Sequence, residues 1–488
     1  MLRFRSLAIL AGLALCTSCP KQAEQRPNVL LITLDTLRAD HMGHFGYERD
    51  TTPNLDAFAR ESATFEQAFA NSSFTPPSHA SILTSRYPSE HGLLHWNKTL
   101  GDVPTAADLF GAAGYRTAAI TPFRALVKIG LQRGFDQTLV PDEHITYKVG
   151  PDGEAVLDSH GNPAIERYLL APGEEVNEQA LPWLLDGEDD RPFFAWVHYY
   201  DAHRPYGAHG GKQKYNQFER PEIGDTENYY RLDAGKRERL GLSPDEVQYI
   251  EDRYDGGLAR LDEQVGALLD SLRDAGLFEN TIILITADHG EVLTEYTVDE
   301  WFSHDPWLTD ENLHVPLFLR LPDGAYAGDR FTALVEGVDV LPTLCDFAQV
   351  STGQAELSGQ SLRGVVEGVD EGKTFVFAER QGNDLSQKAD ADPEAAKRSR
   401  DRRRMIRTRD AKLVEFVDRG TFELWQLGAE TVSVGDQKSA AAADLVRGYG
   451  NQLARLRRVS SGDSALDAEL AASLGALGYV GKDEQLQD

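Results

Sequence analysis

Four continuous apolar runs stand out against the polar background of the chain. They are Asn28-Val29-Leu30-Leu31-Ile32-Thr33-Leu34, Phe193-Phe194-Ala195-Trp196-Val197, Thr281-Ile282-Ile283-Leu284-Ile285-Thr286 and residues 315–321. A strand with one wet face alternates; a strand covered on both faces is apolar throughout. The runs therefore predict buried strands of a largely parallel sheet. Residues 116–121 add a strand after a Gly-Tyr turn. Between the runs, the pattern changes to helical spacing. Thr52-Pro53-Asn54-Leu55-Asp56 opens a helix through Ser62, and residues 105–113 form another. Ser243-Pro244-Asp245-Glu246 starts a long amphipathic helix reaching about Ala275. Strands alternating with helices predict a doubly wound α/β fold.

Past about residue 374 the rhythm shortens. Residues 374–378, 404–408, 412–416 and 422–427 read as strands with little between them, which predicts a small antiparallel β subdomain. Two polar, irregular stretches, 140–174 and 207–242, read as a surface insertion and a substrate-side loop. The organisation expected is a leader over 1–19, a linker over 20–27 and a catalytic domain over 28–370. A C-terminal β/α subdomain over 371–455 and a tail over 456–488 follow.

The first residues change the compartment expected. Arg3 and Arg5 precede an apolar run over 7–15 that is too short to span a bilayer, as in an export signal. Small residues before Cys19, in Cys16-Thr17-Ser18-Cys19-Pro20, resemble a bacterial lipobox. The expectation is an exported lipoprotein, membrane-anchored through a lipid on Cys19. The third cysteine, Cys345, lies in an apolar run and reads as core, so no disulfide framework is expected. Lys and Arg number 49 against 78 Asp and Glu, a net charge of −29. Such a chain is a poor nucleic-acid binder. An anionic substrate would need a locally positive site, such as a metal. The basic run 397–404 reads as a solvated loop.

The candidate chemistry gathers where the strands end, since ligands in open α/β sheets sit beyond the strand carboxyl ends. The first run stops at Asp35. The second continues into His198-Tyr199-Tyr200-Asp201-Ala202-His203, and the third into Asp288-His289-Gly290-Glu291. Carboxylate and imidazole donors suit a divalent cation: Ca, Mg, Mn or Zn. One more stretch, Thr75-Pro76-Pro77-Ser78-His79, precedes an apolar-periodic run. A threonine before two prolines reads as a helix cap, at a terminus that favours anions. A hydroxyl held there beside a metal could attack an ester.

At this point the motifs resemble the sulfatases of the alkaline-phosphatase-like superfamily. Residues 28–40 look like that family's opening strand. Thr51-Thr52-Pro53-Asn54-Leu55-Asp56, Thr84-Ser85-Arg86-Tyr87-Pro88, Thr286-Ala287-Asp288-His289-Gly290 and Asp310-Glu311-Asn312-Leu313-His314-Val315-Pro316-Leu317 follow in the family's order. The resemblance implies a mixed sheet sandwiched by helices. It implies a metal held by Asp35, Thr75, Asp288 and His289, and catalytic roles for Thr75, His203 and His304. Asp201, His198, His79 and His314 would hold a second metal or the substrate. The chain also departs from the family. Thr75 stands where the family has the Cys or Ser that becomes formylglycine, Thr36 replaces a second Asp, and His79 replaces an Arg. Threonine cannot yield the aldehyde, so the resemblance implies a hydrolase of sulfuric or phosphoric esters with Thr75 attacking directly. The alternatives are a phosphodiesterase or a lipid or glycan phosphotransferase of the same superfamily, and a non-catalytic binding lipoprotein on a degenerate scaffold.

Overall fold

The computed structural model describes residues 26–150, 154, 156, 165–206, 244–296, 302–305, 307–382, 401–427, 432–434 and 440–456. The expected leader with Cys19, the 207–242 segment, residues 397–400 of the basic run and nearly all of the expected tail lie outside them.

The fold grows around β1 (Asn28–Leu34), where Val29, Leu30, Leu31, Ile32 and Leu34 are buried. Each such side chain contributes roughly 1.5–3 kcal/mol relative to exposure. The strands that follow are β2 (Ala63–Phe69), β3 (Arg116–Ile120), β4 (Gln137–Leu139), β5 (His144–Tyr147) and β6 (Ile165–Leu169). Then come β7 (Phe193–Tyr199), β8 (Thr281–Ala287), β9 (His314–Val315), β10 (Leu317–Arg320) and β11 (Arg330–Glu336). The main sheet runs β11-β2-β10-β8-β1-β7-β3-β4, with β9 on β2. β7 and β8 flank β1, both parallel to it, while β10 is antiparallel to β8 and β2.

The register decides what meets at the strand ends. Leu34 lies level with Tyr199 on one side and Ala287 on the other. The next residues in β1 and β8, Asp35 and Asp288, therefore leave the sheet side by side.

Several elements differ from the sequence expectation. β2 and β11 pair with each other at the far side of the sheet. They carry polar residues mid-strand, Glu66 and Gln67 in β2, so no continuous apolar run announced them. The run over 315–321 is split at Pro316, which has no N–H for the ladder, into β9 and β10. The 140–174 insertion folds partly as the antiparallel β5–β6 pair. The long helix is present as Pro244–Asp274, with Tyr254, Leu258, Leu261, Val265, Leu268 and Leu272 buried at helical spacing. Its Asp262 accepts from the N–H groups of Asn54 and Leu55 at 3.0 and 2.7 Å, capping the Pro53–Arg60 helix from outside.

A second, antiparallel sheet follows: β12 (Val376–Arg380), β13 (Arg403–Arg407), β14 (Ala411–Phe416), β15 (Thr421–Leu427) and β16 (Val432–Val434). The helix Ala440–Arg455 covers it through Leu445 and Tyr449. The described part of the basic run is not a solvated loop. Arg403 points inward with its guanidinium 4.0 Å from the Trp307 ring, and Arg404 pairs with Glu379 at 3.1 Å.

Candidate active site

Asp35 and Asp288 are fully buried, and neither Asp35 oxygen accepts a hydrogen bond among the described residues. Asp288 commits Oδ1 to the N–H groups of His289 (2.9 Å) and Thr36 (3.3 Å), while Oδ2 is unpartnered. Buried carboxylates without donors are costly, so a cation is the expected partner. Burial pushes both carboxyls well up from their ordinary range. Glu291 adds to the effect at Asp35, and Asp35 adds to it at Asp288.

His289 completes the group. Its Nδ1 donates to the Gly290 carbonyl at 2.9 Å, so Nε2 presents a lone pair. That nitrogen lies 3.4 Å from Asp288 Oδ2 and 3.2 Å from Thr75 Oγ1. One donor atom from each of Asp35, Asp288 and His289 fits within a 4.8 Å span. Two carboxylates and an imidazole nitrogen converge there, a donor set that fits a divalent metal.

The backbone around these ligands is constrained. Thr36 takes φ 53°, strained for a β-branched residue. It is held there by its own N–H to Asp288 and by Tyr254 Oη donating to its carbonyl at 2.7 Å. Gly290 cannot be replaced simply, because a Cβ there would stand 2.1 Å from the Glu311 carbonyl oxygen.

Thr75 is not the helix cap. Phe74 occupies the cap position in extended conformation, and Thr75 is the first residue of the Thr75–Thr84 helix. Two prolines follow it, so the first turn lacks two N–H groups that a capping side chain could satisfy. The hydroxyl turns instead toward His289. Ser78, one turn on, donates to the Asp288 carbonyl and ties the helix to the β8 loop.

Two further imidazoles lie on the β1–β7 side. His198 Nε2 is 3.5 Å from Asp35 Oδ2, and His79 Nδ1 is 3.5 Å from Asp288 Oδ2. Their rings meet edge to face at 4.5 Å. Burial holds His198 down at about 4 and His79 well below its ordinary range. On the other side, His304 stacks on His289 at 4.5 Å and its ring is 5.2 Å from that of His203. Burial, then His304, pushes His203 well down.

Sequence reasoning quoted Glu291 but gave it no role. Its Oε1 lies 3.2 Å from His304 Nδ1, and its Oε2 is buried without a partner among the described residues. A carboxylate only accepts, so the contact puts a proton on Nδ1 and fixes the ring. Neighbouring bonds steady this loop: Asn312 donates to the His304 carbonyl at 2.7 Å, and Arg380 of β12 forms a two-bond pair with Asp305.

Two candidates do not join the group. Asp201 lies two residues beyond β7, where the chain has turned away. It accepts from Gly173 N–H at 3.1 Å and pairs with Arg260 at 3.3 Å. His314 sits on β9, donates to the Glu66 carbonyl at 2.8 Å and stacks on Phe69. Both make their hydrogen bonds away from the Asp35, Asp288 and His289 group.

The chain is similar to known proteins in sequence and in fold. It is 26% identical over 431 residues to the N-acetylglucosamine-6-O-sulfatase of Bacteroides thetaiotaomicron, covering 74% of each. It is 26% identical over 394 residues to the arylsulfatase of Clostridium perfringens, covering 70% of this chain and 79% of that one. The fold is similar to the crystal structure of a phosphonate monoester hydrolase of Agrobacterium radiobacter. The TM-score is 0.66 at 22% identity, over 88% of this chain and 95% of that one. The Sulfatase family profile matches residues 27–350, a stretch that takes in Asp35, Thr75, His203, Asp288, His289 and His304. A match of that reach, with sulfatases among the relatives, settles the kinship: the chain belongs to the sulfatase family of ester hydrolases.

Proposed function

We propose that the chain hydrolyses a sulfate ester by direct attack of Thr75 Oγ1 on sulfur, beside a divalent metal held by Asp35, Asp288, His289 and Thr75 itself. The observation that carries the reading is the hydroxyl lying 3.2 Å from His289 Nε2, at the edge of a buried donor set that fits a cation. When bound, the metal supplies a lowered hydroxyl pKa and neutralises ester oxygens.

The chain's own groups do the rest. The Thr75–Thr84 helix fixes the hydroxyl, and its bonds to the β8 loop keep attacking atom and ligands in one frame. Attack forms the Thr75 Oγ1–sulfur bond and breaks the bond from sulfur to the leaving oxygen. His304, whose Nδ1–H is held by Glu291, takes the proton given up by the Thr75 hydroxyl at Nε2 and passes it to that oxygen, while His203 lies beside it as a neutral neighbour. Water then cleaves the ester on Thr75, restoring the hydroxyl and releasing sulfate. A residue at position 75 that cannot become an aldehyde favours the same scheme with phosphorus, and phosphate esters are the second reading.

Supported by the apolar 7–15 run and Cys19, the reading includes export and lipid anchorage. The wild type partitions into detergent and Cys19→Ala is released; a soluble wild type with an unmodified N-terminus refutes the anchor. For the chemistry, the test is turnover of paired aryl sulfate and aryl phosphate. Thr75→Ser retains activity and Thr75→Ala falls by ~10²-fold or more. Thr75→Ala at the wild-type rate refutes the mechanism.

A further inference from the structure

Two loops must meet for this chemistry, one leading into Thr75 and one carrying His304, and both are fastened to β12 of the second sheet. β12 is the end strand of that sheet, with β13 on one side only. An open strand edge carries N–H and C=O groups that need partners. Side chains and backbone of the main domain supply them. Phe377 N–H donates to Glu336 Oε1 at 2.6 Å, and the Phe377 carbonyl accepts from Asn71 Nδ2 at 2.9 Å. Glu379 N–H donates to the Asn71 carbonyl at 2.9 Å. Asn71 is fully buried, and the rest of its amide is committed as well. Its Nδ2 also donates to Glu336 Oε1 at 3.1 Å, and its Oδ1 accepts from Val338 N–H at 2.9 Å. Lys373 balances the buried Glu336 charge and lies 2.7 Å from Asp339. Arg380, the last residue of β12, pairs through two bonds with Asp305, which directly follows His304. Its remaining nitrogen donates to the Asp401 carbonyl at 2.8 Å, which fixes the guanidinium on the second sheet's side.

Asn71 stands four residues before Thr75, and the chain between them has little play. Ser72, Ser73 and Phe74 are buried. Thr75 precedes a proline, which restricts its backbone, and the rings of Pro76 and Pro77 fix their own φ angles. A displacement at Asn71 therefore carries through to Thr75. We propose that Asn71 and Arg380 are positioning residues that set the Thr75 hydroxyl against His304, with β12 as their common support. Each acts through another group: Asn71 through the short loop to Thr75, Arg380 through Asp305. β12 lies beyond residue 350, where the family match ends. The reacting unit thus extends past that stretch into the antiparallel sheet.

The inference rests on Thr75 and His304 acting as proposed above, and one experiment separates the two. The metal-loaded full chain is compared with Asn71→Ser, Arg380→Ala, the double variant and Thr75→Ala. For each, kcat, KM, bound metal and melting temperature are measured on aryl sulfate and aryl phosphate. Serine at 71 leaves room for a water that keeps Glu336 and Val338 partnered. Each single variant loses kcat about tenfold, with KM and bound metal little changed. The double variant loses about ten- to thirtyfold instead of the product of about a hundredfold, because two groups that fix one relative placement are not lost independently. If Asn71→Ser does not fold, Glu336→Gln takes its place in the cycle. That change keeps the shape and weakens the charged grip on Phe377 N–H, so its loss of about threefold again fails to multiply with that of Arg380→Ala. Folded single variants with the wild-type kcat, or a double variant at the full product, overturn the shared role of β12 while Thr75→Ala stays inactive. Thr75→Ala at the wild-type rate overturns the underlying reading instead.

Discussion

Asp288→Asn separates a metal ligand from a structural carboxylate by the sign of its effect on stability. In the folded chain Asp288 Oδ1 already accepts two N–H groups, which an amide oxygen can keep. The change falls on Oδ2, where an NH₂ replaces a bare oxygen. That NH₂ would point toward His289 Nε2, 3.4 Å from Oδ2, and toward the unpartnered Asp35 carboxylate. Without metal, the substitution removes one of two repelling buried carboxylates and supplies a donor. The metal-free variant is therefore expected to melt above metal-free wild type at neutral pH. With metal the order reverses. A cation at a hundred times its Kd stabilises wild type by about 2.7 kcal/mol, and a hundredfold weaker site leaves about 0.4 kcal/mol. The gap of about 2.3 kcal/mol corresponds to a melting shift of a few degrees. Calorimetric melts over a metal titration measure both halves. A variant less stable than wild type without metal, yet still stabilised by it, refutes the assignment.

Asp201→Asn is expected to leave metal content unchanged, because Asp201 faces Gly173 and Arg260. Burial pushes Asp201 up to about 6. With an unfolded value of ~3.9, its contribution to stability is fully present at lower pH and is lost as pH rises through 6. The variant's melting temperature should therefore fall less between pH 4 and 7 than that of wild type; equal slopes refute the assignment. Arg380→Ala releases Asp305, the neighbour of His304, from its two-bond pair. Turnover should drop about tenfold with KM little changed, and added guanidinium should restore part of it; unchanged kcat refutes a positioning role.

The core of the sheet was legible because strands covered on both faces leave an unbroken apolar record. β1, β7 and β8 carry that record, and β2 and β11 do not. Asp35, Asp288 and His289 were legible for a related reason: Asp35 and Asp288 directly follow strands whose ends the pattern marks, and His289 comes next in the same loop. Asp201 shows the limit. It too follows a buried strand, at the same offset as His289, but there the chain has turned to the Gly173–Leu184 helix. Thr75 shows another limit. Threonine before proline is a capping pattern, yet capping depends on backbone angles that Phe74 supplies here. The facing of His198 and Thr33 could not be read at all, since it depends on register between strands 165 residues apart.

The central claim is that the Thr75 oxygen becomes bonded to the transferred group. The direct measurement is intact mass, with peptide mapping, of wild type and Thr75→Ala. Each is quenched in acid during turnover of a metal-loaded sample on aryl sulfate and, in parallel, aryl phosphate. The account predicts an added sulfuryl or phosphoryl group on the peptide containing Thr75 in wild type, and its absence in Thr75→Ala. Full turnover with an unmodified Thr75 peptide at every quench time, matched by an equally active Thr75→Ala, contradicts it.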